Sequence, residues 1–279
     1  MNFVSYSQLV KDVIDWAQTL DQDYDGVVGI PRSGMLVANI LALHWNIKFG
    51  ELGTFASNGI LLAGGGRDLD REIKKILIVD DSILSGKSIS KAKKLCRELP
   101  YTIHYGAPYV KHNMKSWLHY KVMNLPRVFE WNVFNHYWLR RACVDIDGVL
   151  CRDPTQQEND DGVRYRNFLS TVGPKYRPRV QILALVTNRL EKYRAETVAW
   201  LKKWNIDYQE LHMIDLPTAA ERRKKGVHIL HKSTIFKNEK YAFFIESSER
   251  QSNGIFQSTQ KPVLCTDTMS IYSLPDHKV

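Results

Sequence analysis

Apolar runs of strand length alternate along this chain with segments whose apolar residues recur at helical spacing. In the first half, this pattern predicts helices over 6–20, 33–44 and 86–99, and strands over 26–30, 76–79, 103–110 and 128–133. Residues 53–72 contain three successive glycines and few periodic apolar positions, so we predict a loop there. Alternation of strands with helices is typical of parallel α/β sheets.

A new apolar strand begins at Ala142 and opens a second α/β pattern. Its onset places a domain boundary near 136–141. The chain has 279 residues, which is enough for two ordinary domains. We therefore predict two domains, each a parallel-sheet α/β unit, over residues 1–138 and 139–279.

Composition and charge narrow the classes of function. The formal net charge is +9, but the basic residues are dispersed, so no nucleic-acid partner is expected. The charge favours at most a weak, peripheral attraction to an anionic membrane surface. No apolar run approaches the roughly 18 residues of a membrane span, and the start lacks the pattern of a signal peptide. These features predict a cytoplasmic protein, with the inner face of the membrane as the alternative location, and four scattered cysteines that are reduced thiols.

The first candidate site follows the strand predicted over 76–79. Asp80 and Asp81 stand at its carboxyl end, directly before a Ser/Gly loop and a helix. Main-chain N–H groups of such a loop can hold a phosphate, and the paired carboxylates can hydrogen-bond sugar hydroxyls. A Walker A loop is excluded because Asp81 stands where that motif requires glycine. The segment therefore suits a phosphorylated sugar.

Residues 76–88 resemble the phosphoribosyl pyrophosphate (PRPP) motif of type I phosphoribosyltransferases, and residues 28–34 resemble the pyrophosphate loop of that family. The resemblance implies that Asp80 and Asp81 contact the ribose hydroxyls and contribute to catalysis, while Arg32 and Ser33 bind the diphosphate. Residues 85–88 would hold the 5-phosphate. The remaining residues expected to bind PRPP are Ser82, Ser85, Gly86, Lys87 and Ser88.

Transfer from PRPP requires mostly positioning, electrostatic stabilisation of the departing pyrophosphate and exclusion of water. The loop predicted over 53–72, which includes Arg67, is the candidate lid. The aromatic-rich region 101–138 is the candidate acceptor site. Arg67 and Trp131 are accordingly the candidate acceptor-binding residues.

The second candidate site begins with Asp145 and Asp147, which follow the strand that starts at Ala142. Their spacing places both carboxylates on the same side of an extended turn. One can attack phosphorus while the other handles the proton of the leaving alkoxide, and both flank a divalent cation. An Asp-x-Asp-Gly segment also occurs in calcium loops and plain turns, so three later segments decide the assignment.

Together with residues 183–189, 231–233 and 242–248, this segment resembles the four ordered motifs of the haloacid-dehalogenase superfamily of phosphatases. The resemblance implies that Asp145 is the nucleophile and Asp147 the general acid/base. Residues 151–178 would form a small cap. The remaining implied roles are phosphoryl binding by Thr187, charge stabilisation by Lys232, and Mg²⁺ binding by Asp145, Asp147 and Glu246.

Two details of this resemblance leave alternatives. The fourth motif commonly carries two acids, whereas Glu246 is followed by two serines, which bears on Mg²⁺ affinity. Lys224 or Lys225 could take the place of Lys232 as the lysine of the third motif. We favour Lys232 because we predict that this residue directly precedes the final helix–strand unit. His228 and His231 are three residues apart on a predicted helix, and without matching ligands we expect surface or core histidines.

Two phosphate-handling sites in one chain predict a two-step reaction. PRPP would donate 5-phosphoribofuranosyl to an acceptor, and the phosphatase would then remove the 5-phosphate. Similar phosphoribosyltransferase–phosphatase pairs are associated with bacterial ribofuranose glycans, which implies a surface-glycan or lipid-linked glycan acceptor. The alternatives are a nucleobase phosphoribosyltransferase coupled to a nucleotidase, and a PRPP-sensing regulatory protein.

Overall fold

The chain divides into two compact units, Asn2–Arg127 and Val128–Val279. The computed structural model describes residues 1–21, 23–59, 61–62 and 72–274. The division lies earlier than the predicted boundary between residues 138 and 139. Residues just before that predicted boundary pack within the second unit. Phe134 stacks on Tyr176 with ring centroids 3.9 Å apart, and the side chain of Asn135 accepts the Arg179 N–H at 3.3 Å.

The N-terminal unit alternates strands and helices, as the apolar pattern predicts. Its helices are α1 (Tyr6–Ala17), α2 (Gly34–Trp45), α3 (Leu52–Asn58) and α4 (Lys87–Leu95). Its strands are β1 (Asn2–Val4), β2 (Gly26–Gly29), β3 (Lys48–Glu51), β4 (Lys75–Val79), β5 (Ser82–Ile83), β6 (Thr102–Val110) and β7 (Leu118–Val122). A further strand is β8 (Arg127–Phe129), and the division between the two units falls within it, after Arg127.

One sheet organises this unit, with strand order β3-β2-β4-β6-β5 and β7 also paired with β6. Every recorded pair in it is parallel. The central strand β4 is buried because helices cover both faces of a parallel sheet. The carboxyl ends of β2, β3 and β4 therefore meet at one edge, which is where ligands bind in such sheets.

Residues 53–58 correct one sequence prediction, because they form helix α3 instead of part of a loop. The Glu51 carboxylate caps this helix by accepting the main-chain N–H groups of Gly53 at 2.6 Å and Thr54 at 2.9 Å. Phe55 anchors it in the core and stacks on Tyr101. The rest of the predicted lid, residues 63–71 with Arg67, lies outside the described residues.

The C-terminal unit repeats the alternation. Its strands are β9 (Ala142–Val144), β10 (Ile182–Leu190), β11 (Tyr208–Ile214), β12 (Phe243–Glu246), β13 (Val263–Cys265) and β14 (Ser270–Tyr272). Its helices are α5 (Val163–Thr171), α6 (Arg194–Lys203), α7 (Ala219–Lys225), α8 (His228–Phe236) and α9 (Glu249–Thr259). The predicted strand over 128–133 ends at Phe129, and a short 3₁₀ helix follows over Val133–Asn135.

The sheet of this unit has strand order β11-β10-β9-β12-β13-β14. Its pairs are parallel except for β13 with β14, which is antiparallel. Strands β10, β9 and β12 are neighbours, so Thr187, Asp145 and Glu246, which come from three separate sequence segments, converge at one edge. The parallel-sheet α/β content predicted from the sequence is thus confirmed.

Candidate active sites

The first site is built where β4 ends. Asp80 and Asp81 follow Val79 directly, and Asp81 is buried. The Asp80 carboxylate accepts the N–H of Asp81 at 2.9 Å, and the Asp81 carboxylate accepts the Ser82 hydroxyl at 3.4 Å. These contacts fix the two acids at the carboxyl edge of the sheet.

The loop after β2 lies against this pair of acids. The N–H of Ile30 donates to the Val79 carbonyl at 2.8 Å. A Cβ added to Gly34 would lie 2.6 Å from the Val79 oxygen and 3.0 Å from the Asp80 Cα, so only glycine permits this approach. Arg32 and Ser33 belong to the same loop, and Arg32 is exposed. The two segments predicted to bind PRPP are therefore adjacent.

Residues 85–88 form the entry to helix α4. Gly86 has φ +72° and is the N-cap residue, a left-handed conformation that favours glycine. Ser85, Lys87 and Ser88 are exposed there. The unpaired N–H groups of the first helical turn, together with these side chains, offer donors to an anion.

The pKa of Asp80 is strongly shifted by its surroundings. Burial, followed by the charge of Asp81, raises the pKa of Asp80 to about 7. The charge of Arg127 opposes this shift. Arg127 is buried and its Nη2 donates to the Ser82 hydroxyl at 3.3 Å. Sequence reasoning missed this arginine, because β8 is distant from the motif in sequence.

Of the two acceptor candidates, Arg67 lies outside the described residues. Trp131 belongs to the C-terminal unit, whereas the acids and loops of the first site belong to the N-terminal unit. Its ring stacks on that of Phe129 with centroids 4.8 Å apart and planes 12° from parallel. The aromatic region predicted as one acceptor site therefore divides between the two units.

The second site is centred on Asp145, which directly follows β9. Its carboxylate accepts the N–H of Ile146 at 2.7 Å and the ammonium of Lys232 at 2.5 Å. The same ammonium donates to Glu246 at 2.5 Å, and both Lys232 and Glu246 have 0% side-chain exposure. One buried lysine thus joins the predicted nucleophile to the predicted metal-binding glutamate.

The position of Lys232 corrects the reason for choosing it. We predicted that it precedes a helix, but it lies in the middle of α8. Helix α8 points its side chain at the sheet edge, whereas Lys224 and Lys225 are exposed at the end of α7. The charges of Asp145 and Glu246 raise the pKa of Lys232 against the opposing effect of burial.

Thr187, the predicted phosphoryl-binding residue, is buried within β10, and its hydroxyl accepts the main-chain N–H of Arg189 at 3.3 Å. A hydrogen-bonded chain starts at the next residue. The Asn188 side chain donates to the side-chain amide oxygen of Gln251 at 2.9 Å. That oxygen also accepts from Lys232 at 3.1 Å. Helix α9, capped by the Ser248 hydroxyl, positions Gln251 at this point.

Asp147 is held by a residue that sequence reasoning missed. Arg189 donates to one Asp147 oxygen from Nη2 at 2.6 Å and to both oxygens from Nε at 3.2 Å. Its guanidinium is fully buried and also donates to Thr197. The register of β10 is irregular between Val186 and Leu190, so regular strand alternation could not have placed Arg189. The available signal was an arginine at the end of an apolar strand, inside the segment that contains Thr187.

Asp145, Asp147 and Glu246 line a cavity of about 170 Å³ in the C-terminal unit. Asp153, another acid that sequence reasoning missed, lines it as well. Burial, followed by the charges of Asp147 and Asp145, raises the pKa of Asp153 to about 6. Burial likewise raises the pKa of Glu246 to about 7, although Lys232 opposes the shift. The other lining residues are Pro154, Asn159, Tyr165, Thr187, Asn188, Arg222, His228, Ser247, Ser248 and Gln251.

The donor set of this cavity suits a hard divalent cation. Across the described ranges, no group of three or more His, Cys, Asp or Glu side chains is arranged to hold a metal by itself. Mg²⁺ does not require one, because it commonly keeps several waters and is bound through one or two carboxylates plus a substrate phosphate. The site sets four carboxylates against three cations: Asp145, Asp147, Asp153 and Glu246 against Lys232, Arg189 and Arg222. The carboxylates still outnumber the cations, which favours a divalent cation.

No family model and no curated protein matches this chain. Some solved structures are similar to part of it. Xanthine-guanine-hypoxanthine phosphoribosyltransferase from Helicobacter pylori is 21% identical over 47% of this chain and 93% of that chain, with a TM-score of 0.37. A purine phosphoribosyltransferase from Pyrococcus horikoshii is 18% identical over 47% of this chain and 92% of its own, with a TM-score of 0.36.

Orotate phosphoribosyltransferase from Aeropyrum pernix is 20% identical over 38% of this chain and 59% of its own, with a TM-score of 0.30. Each of these three proteins is named as a phosphoribosyltransferase, the class of enzyme whose motifs residues 28–34 and 76–88 resemble. With TM-scores of 0.37 or below, the likenesses do not by themselves assign a fold or an activity.

No helix of the described residues is long and apolar enough to cross a membrane.

Proposed function

We propose that this chain is a bifunctional enzyme that transfers 5-phosphoribofuranosyl from PRPP to an acceptor and then removes the 5-phosphate. The observation that carries this proposal is the buried Lys232 bridge between Asp145 and Glu246, beside the polar cavity that Thr187 lines. Four separated sequence segments supply these groups, and an arrangement of this kind suits attack on a phosphomonoester. The adjacent acids and loops of the first site supply the complementary half.

In the first half-reaction, the ribose hydroxyls would bind to Asp80 and Asp81, and residues 85–88 would hold the 5-phosphate. Arg32 and Ser33 would bind the diphosphate, whose bond to C1 breaks as the acceptor oxygen or nitrogen forms its own bond to C1. Positive charge develops on the sugar ring and negative charge on the departing pyrophosphate. Arg32 would oppose the latter charge, a role supported by the close approach of Gly34, in the same loop, to Asp80.

In the second half-reaction, Asp145 would attack phosphorus, so that a bond forms to its carboxylate oxygen and the bond to the sugar oxygen breaks. Asp147 would give its proton to the leaving alkoxide and later take one from the water that hydrolyses the aspartyl phosphate. Lys232 would offset charge on the nucleophile and the phosphoryl group, and Thr187 would hold a phosphoryl oxygen. Arg189 fixes the direction in which Asp147 faces.

Asp145, the main-chain carbonyl of Asp147, and Glu246 are the groups that would hold Mg²⁺, which when bound would stabilise charge on the phosphoryl oxygens. Lys232 already pairs with two of these residues, so the lysine also keeps the carboxylates together before a substrate arrives.

A surface glycan or lipid-linked glycan is the acceptor that best fits a fused phosphatase. If the acceptor were an ordinary nucleobase, removal of the 5-phosphate would degrade the nucleotide just made. A glycan that is to carry plain ribofuranose requires that removal. Release of pyrophosphate and then of phosphate would make the overall addition irreversible. The basic net charge is compatible with work near an anionic membrane surface, where such acceptors are assembled.

Two single substitutions test the division of labour. Asp145→Asn should abolish phosphate release from ribose 5-phosphate while PRPP consumption continues. Asp81→Asn should stop PRPP consumption while hydrolysis of supplied ribose 5-phosphate continues. Phosphate and pyrophosphate release would be measured separately for both variants and the unmodified protein. Unchanged phosphate release by Asp145→Asn would refute the phosphatase assignment, and unchanged PRPP consumption by Asp81→Asn would refute the transferase assignment.

A further inference from the structure

Arg222 enters the cavity of the C-terminal unit from helix α7. Thr218 caps this helix, with its hydroxyl accepting the N–H of Glu221 at 3.2 Å, and Gly226 ends it with φ +60°. Between these two ends, Arg222 lines the cavity and Arg223 is exposed. The Nη1 of Arg222 donates to the main-chain carbonyl of Asn188. The guanidinium is thus anchored one residue from Thr187.

The anchored guanidinium retains an unused donor. Its Nε–H is buried, and it has no hydrogen-bond partner in the described part of the chain. A buried N–H without a partner is costly to keep, so the position of Arg222 needs a reason. A guanidinium presents its donors in a planar fork that fits two oxygens of a phosphate.

Two further cations lie next to the residues of this cavity, and both are already paired with carboxylates. Lys232 pairs with Asp145 and Glu246, and Arg189 pairs with Asp147. His228 also lines the cavity, but burial and then the charge of Arg222 lower its pKa, which favours the neutral ring. Arg222 is therefore the permanent positive charge at the cavity wall that an incoming phosphate dianion can meet.

We propose that Arg222 binds the phosphoryl group of the substrate in this cavity, through the edge of the guanidinium that lines the cavity and not through the enclosed Nε–H. The inference rests on the proposed phosphatase function, to which it adds a substrate-binding residue. Thr187 would hold the phosphoryl group from the strand and Arg222 from the helix. The main-chain anchor at Asn188 keeps the two at a fixed separation.

Calorimetric titration with inorganic phosphate tests the proposal in the Asp145→Asn protein, which cannot turn over. The variants are Arg222→Gln and Arg222→Lys, and the matched control is Arg223→Gln, which removes the same charge from an exposed neighbour. Phosphate held at any other site persists in every variant. Hydrolysis of ribose 5-phosphate is measured in parallel in the proteins that retain Asp145.

Arg222→Gln is expected to weaken phosphate binding at least tenfold and to raise KM for ribose 5-phosphate to a similar extent. Arg223→Gln should change both by less than twofold. A folded Arg222→Gln protein that binds phosphate within twofold of its parent overturns the proposal. If Arg222→Gln does not fold, Arg222→Lys carries the test, with a several-fold loss expected and unchanged affinity overturning the proposal.

The two proposals fail separately. If the unmodified protein releases no phosphate from ribose 5-phosphate, the proposed hydrolysis is wrong. Phosphate binding that still depends on Arg222 and not on Arg223 would then uphold the Arg222 assignment.

Discussion

Arg189 grips the carboxylate of Asp147, with a bond of 2.6 Å from Nη2 to Oδ1 and bonds of 3.2 Å from Nε to both oxygens. The arginine side chain is fully buried, while that of Asp147 keeps 18% of its exposure toward the cavity. Burial acts to lower the pKa of Arg189, but the charge and hydrogen bonds of Asp147 raise it overall. The predicted acid/base is therefore held in one orientation by a permanent cation.

Arg189→Met should destabilise the C-terminal unit by about 3–5 kcal/mol, because it leaves the Asp147 charge without its buried partner. Phosphate release should fall at least a hundredfold, because Asp147 loses its fixed orientation. Urea unfolding and ribose 5-phosphate hydrolysis measure the two effects. Asp147→Asn combined with Arg189→Met should recover part of the stability and none of the activity. Unchanged stability in Arg189→Met would show that the pair is not structurally important.

Lys232→Met should abolish phosphate release and leave PRPP-dependent transfer within about twofold, because the bridge from Asp145 to Glu246 lies wholly in the C-terminal unit. The matched control is Lys225→Met on α7, whose lysine is exposed. Both variants are assayed for phosphate and for pyrophosphate. Equal loss of hydrolysis in the two would mean that the chosen lysine has no special role.

Gly34→Ala should disable the first site. The new methyl carbon would lie 2.6 Å from the Val79 carbonyl oxygen, so the 30–34 loop must move away from Asp80. Overpacking of this kind costs roughly 1–3 kcal/mol. We expect loss of PRPP consumption with hydrolysis of ribose 5-phosphate retained. Gly173→Ala, where the added methyl meets nothing within 4 Å, is the control and should change neither activity. Normal PRPP consumption by Gly34→Ala would contradict the close seating of this loop.

Asp80 predicts a pH dependence of stability. Its pKa rises from 3.8 to about 7 on folding, chiefly through burial and then through the charge of Asp81. The folded chain therefore binds a proton more tightly than the unfolded chain. The stabilisation this gives is complete below pH 3.8 and is lost as the pH rises toward 7. Asp80→Asn should accordingly gain stability over the unmodified protein across this window, by on the order of 1–3 kcal/mol.

Thermal unfolding at several pH values between 4 and 8 measures this difference for Asp80→Asn. Asp207→Asn, the same change at an exposed position whose carboxylate accepts the side-chain N–H groups of Gln181, is measured alongside for comparison. A stability difference between Asp80→Asn and the unmodified protein that does not vary with pH would rule out the raised pKa.

Much of the fold could be predicted from the sequence, because an apolar run of strand length is visible in the residues of the strand itself. The strand at 76–79 and the acids after it could be placed from their own neighbourhood, as could Asp145 after its strand. Helix α3 was missed because its stability comes from the Glu51 cap and from Phe55 packing on Tyr101, not from a long periodic pattern. Lys232 was chosen for its order in the chain, although its position depends on the face of α8 that meets the sheet.

Residues that act through partners distant in sequence were harder to find. Arg127 and Arg222 reach their sites from β8 and α7, which carry no motif, so nothing near them in sequence marked their positions. Asp153 lies just after the Asp145–Asp147 segment, but the fold of the following residues determines that it lines the cavity. Arg189 is the exception, because it lies in the same sequence segment as Thr187, although the irregular register of β10 hides the direction of its side chain. The division between the units was placed late because residues 133–141 are bound by tertiary contacts, such as Phe134 with Tyr176.

The most direct test of the two-step account is the product made by the Asp145→Asn protein. This protein is incubated with PRPP and Mg²⁺, in one reaction with a pool of glycan acceptors and in another with a pool of nucleobases. The masses of the acceptors are then measured by mass spectrometry. The account predicts that a glycan gains one phosphoribosyl unit, which the unmodified protein would convert to a ribosyl unit. A gain on a nucleobase instead, or no gain in either pool while PRPP is left intact, would contradict it.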